Sequence, residues 1–322
     1  MSRTCRILAP KAGFGLIIGV CLLMTACNSN RSTAVYSEAV ASPASPKATC
    51  PACRITEATS TQLFSSISET TNQLPTAFLY TTPTPSSCLE AGGRLEKGAL
   101  DTNLLRQPLE YSIYLPPCYD QQPHRRYPTL YLIHGQSFTD DQWIRLGVGD
   151  TADKLIQRGA IPPLIIVMPR DRTWEQPTQD KFGEAVVDQL IPFIDHSYRT
   201  YSGRQSRAIG GLSRGAGWAV HLGLLHWELF GAIGAHSLPV FWTDTPHIAA
   251  WLDSIPPESL PRIYLDIGDK DRPAIMNSAI WFEQLLTRMK IPHEWYLFSG
   301  YHEEAYWRAH IEQYLRWYTH AW

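Results

Sequence analysis

The chain has 322 residues, of which 44% are hydrophobic and 18% are charged, and its formal net charge is −2. This length and apolar fraction are enough for a globular domain with a large core. The nearly balanced charge, with no basic stripe along the sequence, argues against a protein that binds nucleic acid.

The beginning of the chain predicts export. Cationic residues precede an apolar run over residues 12–24, and the segment ends at Ala26-Cys27. The run is too short for a mature transmembrane helix, which needs roughly 20 residues, but it is typical of a signal peptide. Residues 1–26 are therefore predicted to be a lipoprotein-type signal peptide. We expect a lipid on Cys27 that anchors the protein on the extracytoplasmic side of a bacterial membrane; the alternative is plain secretion with a free or paired thiol.

Residues 27–87 are rich in serine, threonine, alanine and proline and have no sustained hydrophobic period. Such a composition buries too little apolar surface to offset chain entropy, so the segment is predicted to be a flexible, low-complexity stalk. It contains Cys50 and Cys53, a close pair that an oxidising compartment would allow to form a disulfide. A zinc site would need a second pair of ligands, which the sequence lacks, so we expect neither a metal nor another cofactor.

Residues 88–322 alternate between strand-like and helix-like runs. This alternation predicts an α/β domain with a mainly parallel central sheet and helices on both faces. The predicted strands cover residues 110–115, 129–133, 164–168, 206–212, 232–235, 262–267 and 295–298. The predicted helices include residues 150–158, 182–198, 216–225, 274–289 and 303–317.

The segment Gly211-Leu212-Ser213-Arg214-Gly215 lies between a predicted strand and a predicted helix. A serine between two glycines at such a junction is typical of a nucleophile elbow. The turn is so tight that side chains at the flanking positions would collide with neighbouring backbone, which explains the glycines. The pattern is short enough to occur by chance, and the alternative is an ordinary turn.

The two other members of a nucleophilic triad follow Ser213 in the chain. Asp269 and Asp271 lie in the loop after one predicted strand, and His302 lies in the loop after the next. Such loops, at the carboxyl ends of parallel strands, are where these sheets place catalytic groups. Asp271 is favoured as the acid because a wider loop can bring its carboxylate to His302, and Asp269 is the alternative. Asp266, within the strand itself, is predicted to be structural.

The predicted strand over residues 129–133 ends in His134-Gly135-Gln136. Acyl transfer builds negative charge on the carbonyl oxygen of the substrate, and backbone N–H groups aimed at that oxygen can lower the barrier by roughly 3 kcal/mol each. The amides of Gln136 and Arg214 are predicted to be these oxyanion-hole donors, since the glycine lets the backbone come close to the substrate. His134 is predicted to be a packed, hydrogen-bonded residue and not the catalytic base.

Five motifs occur together in the second part of the chain. They are Tyr114-Leu115-Pro116-Pro117-Cys118-Tyr119-Asp120, the run over residues 130–135, Ile209-Gly210-Gly211-Leu212-Ser213-Arg214-Gly215, Asp266-Ile267-Gly268-Asp269-Lys270-Asp271 and Gly300-Tyr301-His302. Together they resemble the Esterase family of α/β-hydrolases, which includes esterase D, feruloyl and acetyl-xylan esterases, enterochelin esterases and mycolyltransferases. The resemblance covers residues 88–322 and implies an α/β-hydrolase fold with Ser213 as nucleophile, Asp271 as acid and His302 as base.

The resemblance also points to a disulfide between Cys88 and Cys118, which would staple the start of the domain. Two positions depart from the family pattern. Arg214 stands where many relatives carry methionine, so that a cation is expected at the mouth of the site, and Trp227 stands where a proline is common.

The sequence thus predicts a serine carboxylic ester hydrolase that works through an acyl-enzyme on a small-molecule or polysaccharide ester. Trp143, Trp174 and Trp242 follow predicted strands, and aromatic faces suit both sugars and phenolic acyl groups. They are the candidate substrate-binding residues, each with core packing as the alternative. Export and aromatic content favour carbohydrate-linked acyl or feruloyl esters. The alternative functions are an acyltransferase of the mycolyltransferase type and a non-catalytic surface binding protein on a hydrolase scaffold.

Overall fold

Residues 87–322, which the computed structural model describes, build one mixed sheet of eight strands. The strands are β1 Arg94–Leu100, β2 Leu109–Leu115, β3 Thr129–Ile133, β4 Ile165–Pro169, β5 Arg207–Leu212, β6 Ala232–His236, β7 Arg262–Gly268 and β8 Glu294–Phe298. Their order across the sheet is β1-β2-β4-β3-β5-β6-β7-β8. β2 is antiparallel to β1 and to β4, and the other neighbouring pairs are parallel.

Helices connect the parallel strands, and one further helix lies before β1 and another after β8. They are α1 Ser87–Glu90, α2 Gln142–Arg145, α3 Val148–Gln157, α4 Phe182–Glu184, α5 Ile191–Ser197, α6 Arg214–Leu225, α7 Ile248–Ser254, α8 Pro273–Met289 and α9 Glu304–Thr319. A π-helical segment, Ala185–Leu190, joins α4 to α5 without a break. None of the helices among these residues is long and apolar enough to cross a membrane.

The sheet is covered on both faces because successive side chains of a strand point to opposite sides. In β3, Leu130 and Leu132 belong to one buried cluster, while Tyr131 and Ile133 belong to a second. The first cluster includes side chains of α3 and α9, and the second includes side chains of α5, α6, α7 and α8. The predicted architecture, a mainly parallel sheet with helices on both faces, is confirmed.

The predicted elements end within two residues of the observed ones, and the main omission is β1. This strand lies at the edge of the sheet, and its residues are exposed or half-buried along its whole length. An edge strand with no fully buried face has no apolar run, so the pattern that revealed the other strands is missing there. Cys27, the predicted lipidation site, and Cys50 and Cys53, whose pairing the sequence left open, lie outside the described residues.

A disulfide joins Cys88 in α1 to Cys118, which follows β2. The two residues are 30 positions apart in the sequence, and the enclosed segment contains the exposed strand β1 and the buried strand β2. A covalent link at this place ties the edge of the sheet to its interior. It restricts the unfolded chain over the same segment.

Replacing both cysteines, as in Cys88→Ala with Cys118→Ala, is expected to lower the free energy of unfolding by about 3–4 kcal/mol, the loop-entropy value for a segment of this length. Urea titration of the described domain measures the loss. Wild-type protein unfolded in the presence of a reductant serves as the comparison and should resemble the double variant. An unchanged unfolding midpoint in both would show that this link does not stabilise the domain.

Candidate active site

Ser213 lies at the sharp junction between β5 and α6. Its backbone has φ 51° and ψ −126°, a conformation that a non-glycine residue adopts only when the surroundings impose it. A Cβ atom at Gly211 would lie 2.2 Å from the carbonyl carbon of Gly215, and one at Gly215 would lie 2.1 Å from the carbonyl oxygen of Ile133. Both obstacles are backbone atoms, which cannot rotate away. The two glycines are therefore required for the turn that presents the serine.

A continuous chain of hydrogen bonds joins three side chains at the carboxyl edge of the sheet. His302 Nε2 lies 2.9 Å from Ser213 Oγ, and His302 Nδ1 lies 2.9 Å and 2.8 Å from the two carboxylate oxygens of Asp271. Because a carboxylate only accepts, Nδ1 carries the proton, and Nε2 is left to accept the hydroxyl proton of Ser213. The imidazole is thus held in the tautomer that a general base requires.

The carboxylate that contacts His302 is that of Asp271, and the neighbouring acids have other partners. Asp269 accepts a hydrogen bond from the amide of Gly300 at 3.0 Å, and the amide of Lys270 donates to the carbonyl of Gly300 at 2.9 Å. These bonds fasten the loop after β7 to the loop after β8. They bring Asp271 and His302 together, so Asp269 acts as a brace for the loop.

Asp266, predicted to be structural, lies in a buried network beneath the site. Its carboxylate accepts hydrogen bonds from the hydroxyls of Tyr306 (2.6 Å) and Tyr314 (2.8 Å) and lies 2.5 Å from His236 Nδ1. The carbonyl of His236 in turn accepts the amide hydrogen of Ser213 at 2.8 Å. The network therefore supports the backbone of the elbow without reaching the reacting atoms.

The His302 ring is also fixed from the side by α9. Trp307 packs edge-on against it, with ring centroids 5.0 Å apart and an interplanar angle of 85°. The indole N–H of Trp307 donates to Ser237 Oγ at 3.2 Å, so the tryptophan is itself held in place. His302 is therefore restrained both by a hydrogen-bonded acid and by an aromatic wall.

The loop after β3 brings the predicted oxyanion donors to the elbow. A Cβ atom at Gly135 would lie 3.5 Å from Ser213 Cβ, so the backbone next to Gln136 passes close to the serine. α6 begins at Arg214, whose amide is one of the first-turn N–H groups that have no acceptor within the helix. Gln136 and Arg214 both line one cleft, and their amides remain the predicted oxyanion donors.

Gln142 holds this loop in place. Its side chain is fully buried, and its Oε1 accepts the amide hydrogen of Gly135 at 2.8 Å. Its Nε2 lies 3.4 Å from Glu304 at the start of α9, two residues after His302. Sequence patterns gave no sign of Gln142, because a glutamine in a polar segment is usually exposed.

The side chain of Arg214, expected to bring a cation to the mouth of the site, lines the cleft and is paired with an acid. Arg214 is only 7% exposed, and its Nε donates to Asp171 Oδ2 at 2.6 Å. The same carboxylate oxygen accepts the indole N–H of Trp218 at 2.8 Å. The charge is thus paired within the protein. The role of Asp171, which follows β4, also escaped the sequence patterns, since its partner is 43 residues away in the chain.

His134 has the packed position that was predicted for it. It is buried, its Nδ1 lies 2.8 Å from the carbonyl of Gly135, and its Nε2 accepts the amide hydrogen of Asp171 at 3.0 Å. Nδ1 therefore carries the proton. Burial lowers the pKa of His134, which keeps the imidazole neutral and suited to this pair of contacts. It braces the loop after β3 against the loop after β4.

The three candidate tryptophans occupy different environments. Trp143 is only 1% exposed and donates to the carbonyl of Ile133 at 3.1 Å, so its predicted role in substrate binding is wrong: it is a core residue. Trp174 is 67% exposed and lines a cleft of about 260 Å³ that begins at Gln136 and Arg214. Trp242 is 69% exposed on the loop after β6 and does not line that cleft.

A second, larger groove lies next to this cleft. It has a volume of about 750 Å³, and residues 170–173 line both spaces. The segment after β4 therefore borders two recesses, of which the smaller is also lined by Gln136 and Arg214. Within residues 87–322, no group of three or more histidine, cysteine, aspartate or glutamate side chains is placed to hold a metal ion.

The sequence model of the Esterase family matches residues 102–318. The chain belongs to the Esterase family. An endo-1,4-beta-xylanase/feruloyl esterase of Xylanibacter ruminicola is 29% identical over 180 residues, which are 52% of this chain and 24% of that protein. The chain thus spans about a quarter of the length of this curated relative.

Solved structures agree with this family and confirm the α/β-hydrolase fold. A ferulic acid esterase superposes with a TM-score of 0.64 at 25% identity, covering 71% of this chain and 99% of the other. A feruloyl esterase module from Clostridium thermocellum, complexed with sinapinate, gives a TM-score of 0.59 at 20% identity, covering 74% of this chain and 93% of the module.

The buried, neutral His134 predicts a pH dependence of stability. In the unfolded chain a histidine takes up a proton below about pH 6.5, whereas the lowered pKa in the folded protein resists protonation. The folded state therefore loses stability as the pH falls below about 6.5 toward the lower folded value, and His134 contributes no such slope above it.

Urea unfolding of wild type and His134→Gln at about pH 7.5 and about pH 5.5 measures this slope. The wild type is expected to lose more free energy of unfolding on acidification than the variant, since glutamine keeps a donor and an acceptor but does not titrate. Equal losses in the two proteins would refute the assignment.

Proposed function

We propose that this protein is a serine carboxylic ester hydrolase with Ser213 as nucleophile, His302 as general base and acid, and Asp271 as the residue that orients the imidazole. The observation that carries the proposal is the unbroken hydrogen-bonded chain from Asp271 through His302 to Ser213. Membership of the Esterase family supports the same chemistry.

The first half of the reaction forms an acyl-enzyme. Ser213 Oγ attacks the ester carbonyl carbon while its proton passes to His302 Nε2, and the imidazolium that results is stabilised by Asp271. The carbonyl oxygen becomes an oxyanion and accepts hydrogen bonds from the amides of Gln136 and Arg214. Collapse of the tetrahedral intermediate breaks the bond to the alcohol, which leaves with the proton from Nε2.

The second half releases the acid. Water enters, gives a proton to His302 Nε2 and attacks the acyl carbon. The proton then returns to Ser213 Oγ as the ester bond to the enzyme breaks. Every proton that moves passes through a nitrogen already 2.9 Å from the serine oxygen. Apart from the ester and water, these steps use only groups of the protein.

Ser213→Ala is expected to fold normally and to lose hydrolysis of 4-nitrophenyl acetate, since the attacking oxygen is gone. A fluorophosphonate probe should label the wild type and fail to label the variant, and circular dichroism provides the control for folding. Labelling at another residue, or hydrolysis retained at most of the wild-type rate, would refute the assignment. An unlabelled wild type would instead favour a non-catalytic binding protein.

The two neighbouring aspartates offer a matched pair of variants. Asp271→Asn should lower kcat by about 10³–10⁴-fold, because an amide no longer favours the tautomer with the proton on Nδ1. Asp269→Asn keeps the oxygen that accepts the amide of Gly300 and should stay close to wild type. Steady-state kinetics on 4-nitrophenyl acetate distinguishes them, and the reverse order of effects would assign the acid to Asp269.

For the substrate class, we propose carbohydrate-linked acyl or feruloyl esters. The support is the exposed Trp174 in the cleft that Gln136 and Arg214 also line, the larger groove next to that cleft, and the feruloyl esterase activity after which the relatives are named. Rates on acetylated and feruloylated xylan are expected to exceed those on short-chain alkyl esters. No preference for the carbohydrate esters would reject this part of the proposal.

We also propose that the enzyme is exported and carries a lipid on Cys27, on the strength of the sequence pattern at residues 12–27. Cells fed a palmitate analogue should label the native protein and not the Cys27→Ala variant. A native protein without label would reject the anchor and leave the hydrolase proposal untouched.

A further inference from the structure

Arg214 makes two directed contacts with one short segment of the chain. Its Nε donates to Asp171 Oδ2 at 2.6 Å, and its Nη2 donates to the backbone carbonyl of Glu175 at 2.7 Å. The planar guanidinium places several donors in a rigid fork, which suits two acceptors on one loop. A methionine at this position could make neither bond.

The segment between the two contacts carries Trp174. The carboxylate of Asp171 is fixed further by Trp218 Nε1, and its amide is fixed by His134. The amide of Thr173 donates back to Asp171 Oδ1 at 3.0 Å. The backbone is therefore fixed both before and after Trp174, while Trp174 itself is 67% exposed.

Trp174 does not stand alone over the cleft. Phe138, on the loop after β3, is 39% exposed and lines the same cleft of about 260 Å³. Its ring is covered on one side by the guanidinium of Arg145, whose Cζ lies 5.4 Å from the ring centroid. Two exposed aromatic side chains thus line the same cleft as Gln136 and Arg214, the residues that carry the candidate oxyanion amides.

We propose that Arg214 is a specificity-positioning residue, whose side chain clamps residues 171–175 so that Trp174 and Phe138 form the walls of a subsite for a ring of the ester substrate. This inference rests on the proposed hydrolase function and adds to it. The ring is an aromatic acyl group or a sugar of the alcohol part, since both present flat apolar faces to an indole.

The energetic role of the clamp is preorganisation. A loop that is ordered before the substrate arrives does not have to lose its conformational freedom on binding, so the ring gains affinity without any new contact. The charge of Arg214 takes no direct part, because Asp171 neutralises it inside the protein. An arginine in place of the methionine of many relatives therefore acts on the shape of the cleft and not through its charge.

The test compares Arg214→Met, Trp174→Ala and wild type in two measurements. The first is hydrogen exchange of the backbone amides in residues 173–176. The second is the selectivity for ring-bearing esters, in two arms. The acyl arm is the ratio of kcat/KM for 4-nitrophenyl ferulate over 4-nitrophenyl acetate, which share a leaving group. The alcohol arm is the ratio for acetylated xylo-oligosaccharide over methyl acetate, which share an acyl group.

Arg214→Met is expected to speed hydrogen exchange in residues 173–176 at least tenfold. It is also expected to lower the selectivity ratio at least fivefold in one of the two arms. The arm that responds shows whether the acyl group or the alcohol carries the ring. Trp174→Ala should lower the same ratio. The control is Tyr201→Ala. Tyr201 is an exposed aromatic residue on the segment before β5, at the amino ends of the parallel strands, so its removal should leave both ratios unchanged.

Unchanged exchange in Arg214→Met would refute the clamp, whatever the kinetics. Faster exchange with both ratios unchanged would refute the role in specificity. Arg214→Met leaves the buried carboxylate of Asp171 without its counter-charge, and this variant can fail to fold. In that case the double variant Arg214→Met with Asp171→Asn, which removes both charges, takes its place. A wild type that hydrolyses none of the four esters would refute the proposed function, while the exchange measurement would still decide the clamp.

Discussion

The close contact between the end of β3 and the turn before α6 is the constraint on which the site depends. At Gly211 and Gly215 the backbones approach so closely that not even a methyl group fits between them. This contact fixes Ser213 in its unusual conformation. It also places the backbone of Gly135, in the loop after β3, close to Ser213, so the serine and the two residues with the candidate amides depend on one packing arrangement.

His302 and Asp271 reach this point through hydrogen bonds between loops. The loops after β7 and β8 are joined by Asp269 and by backbone bonds, and α9 follows at once with Trp307 against the His302 ring. Gln142 adds a bridge from the loop after β3 toward the start of α9. The three loops that carry the site therefore restrain one another, as a preorganised active site requires.

Buried polar groups in this domain serve to fix geometry. Asp266 gathers His236 and two tyrosine hydroxyls beneath the elbow, and Asp171 gathers Arg214 and Trp218 beside the cleft. A buried charge is costly unless it is fully paired, and in both clusters the carboxylate has several donors. Such clusters admit few alternative arrangements, so they hold the loops that line the site in one position.

The sequence by itself determined the order of the elements and the elbow at Ser213, and it named His302 and either Asp271 or Asp269 as candidates, because periodicity and turn chemistry are local properties of a chain. Only the folded structure showed that Asp271, and not Asp269, contacts His302. The sequence missed β1, because a strand at the edge of the sheet has no apolar run. It also misassigned Trp143, because the sequence pattern of a buried tryptophan that donates to a backbone carbonyl does not differ from that of a tryptophan that faces a sugar.

Only the tertiary structure decided which partners the polar side chains take. Gln142 contacts Gly135, and the cation expected at Arg214 forms an internal ion pair with Asp171. These contacts join segments that are far apart in the chain. A residue spacing within one segment therefore cannot predict them. Their outcome depends on how the loops at the carboxyl edge of the sheet pack together, which is settled by the folded chain as a whole.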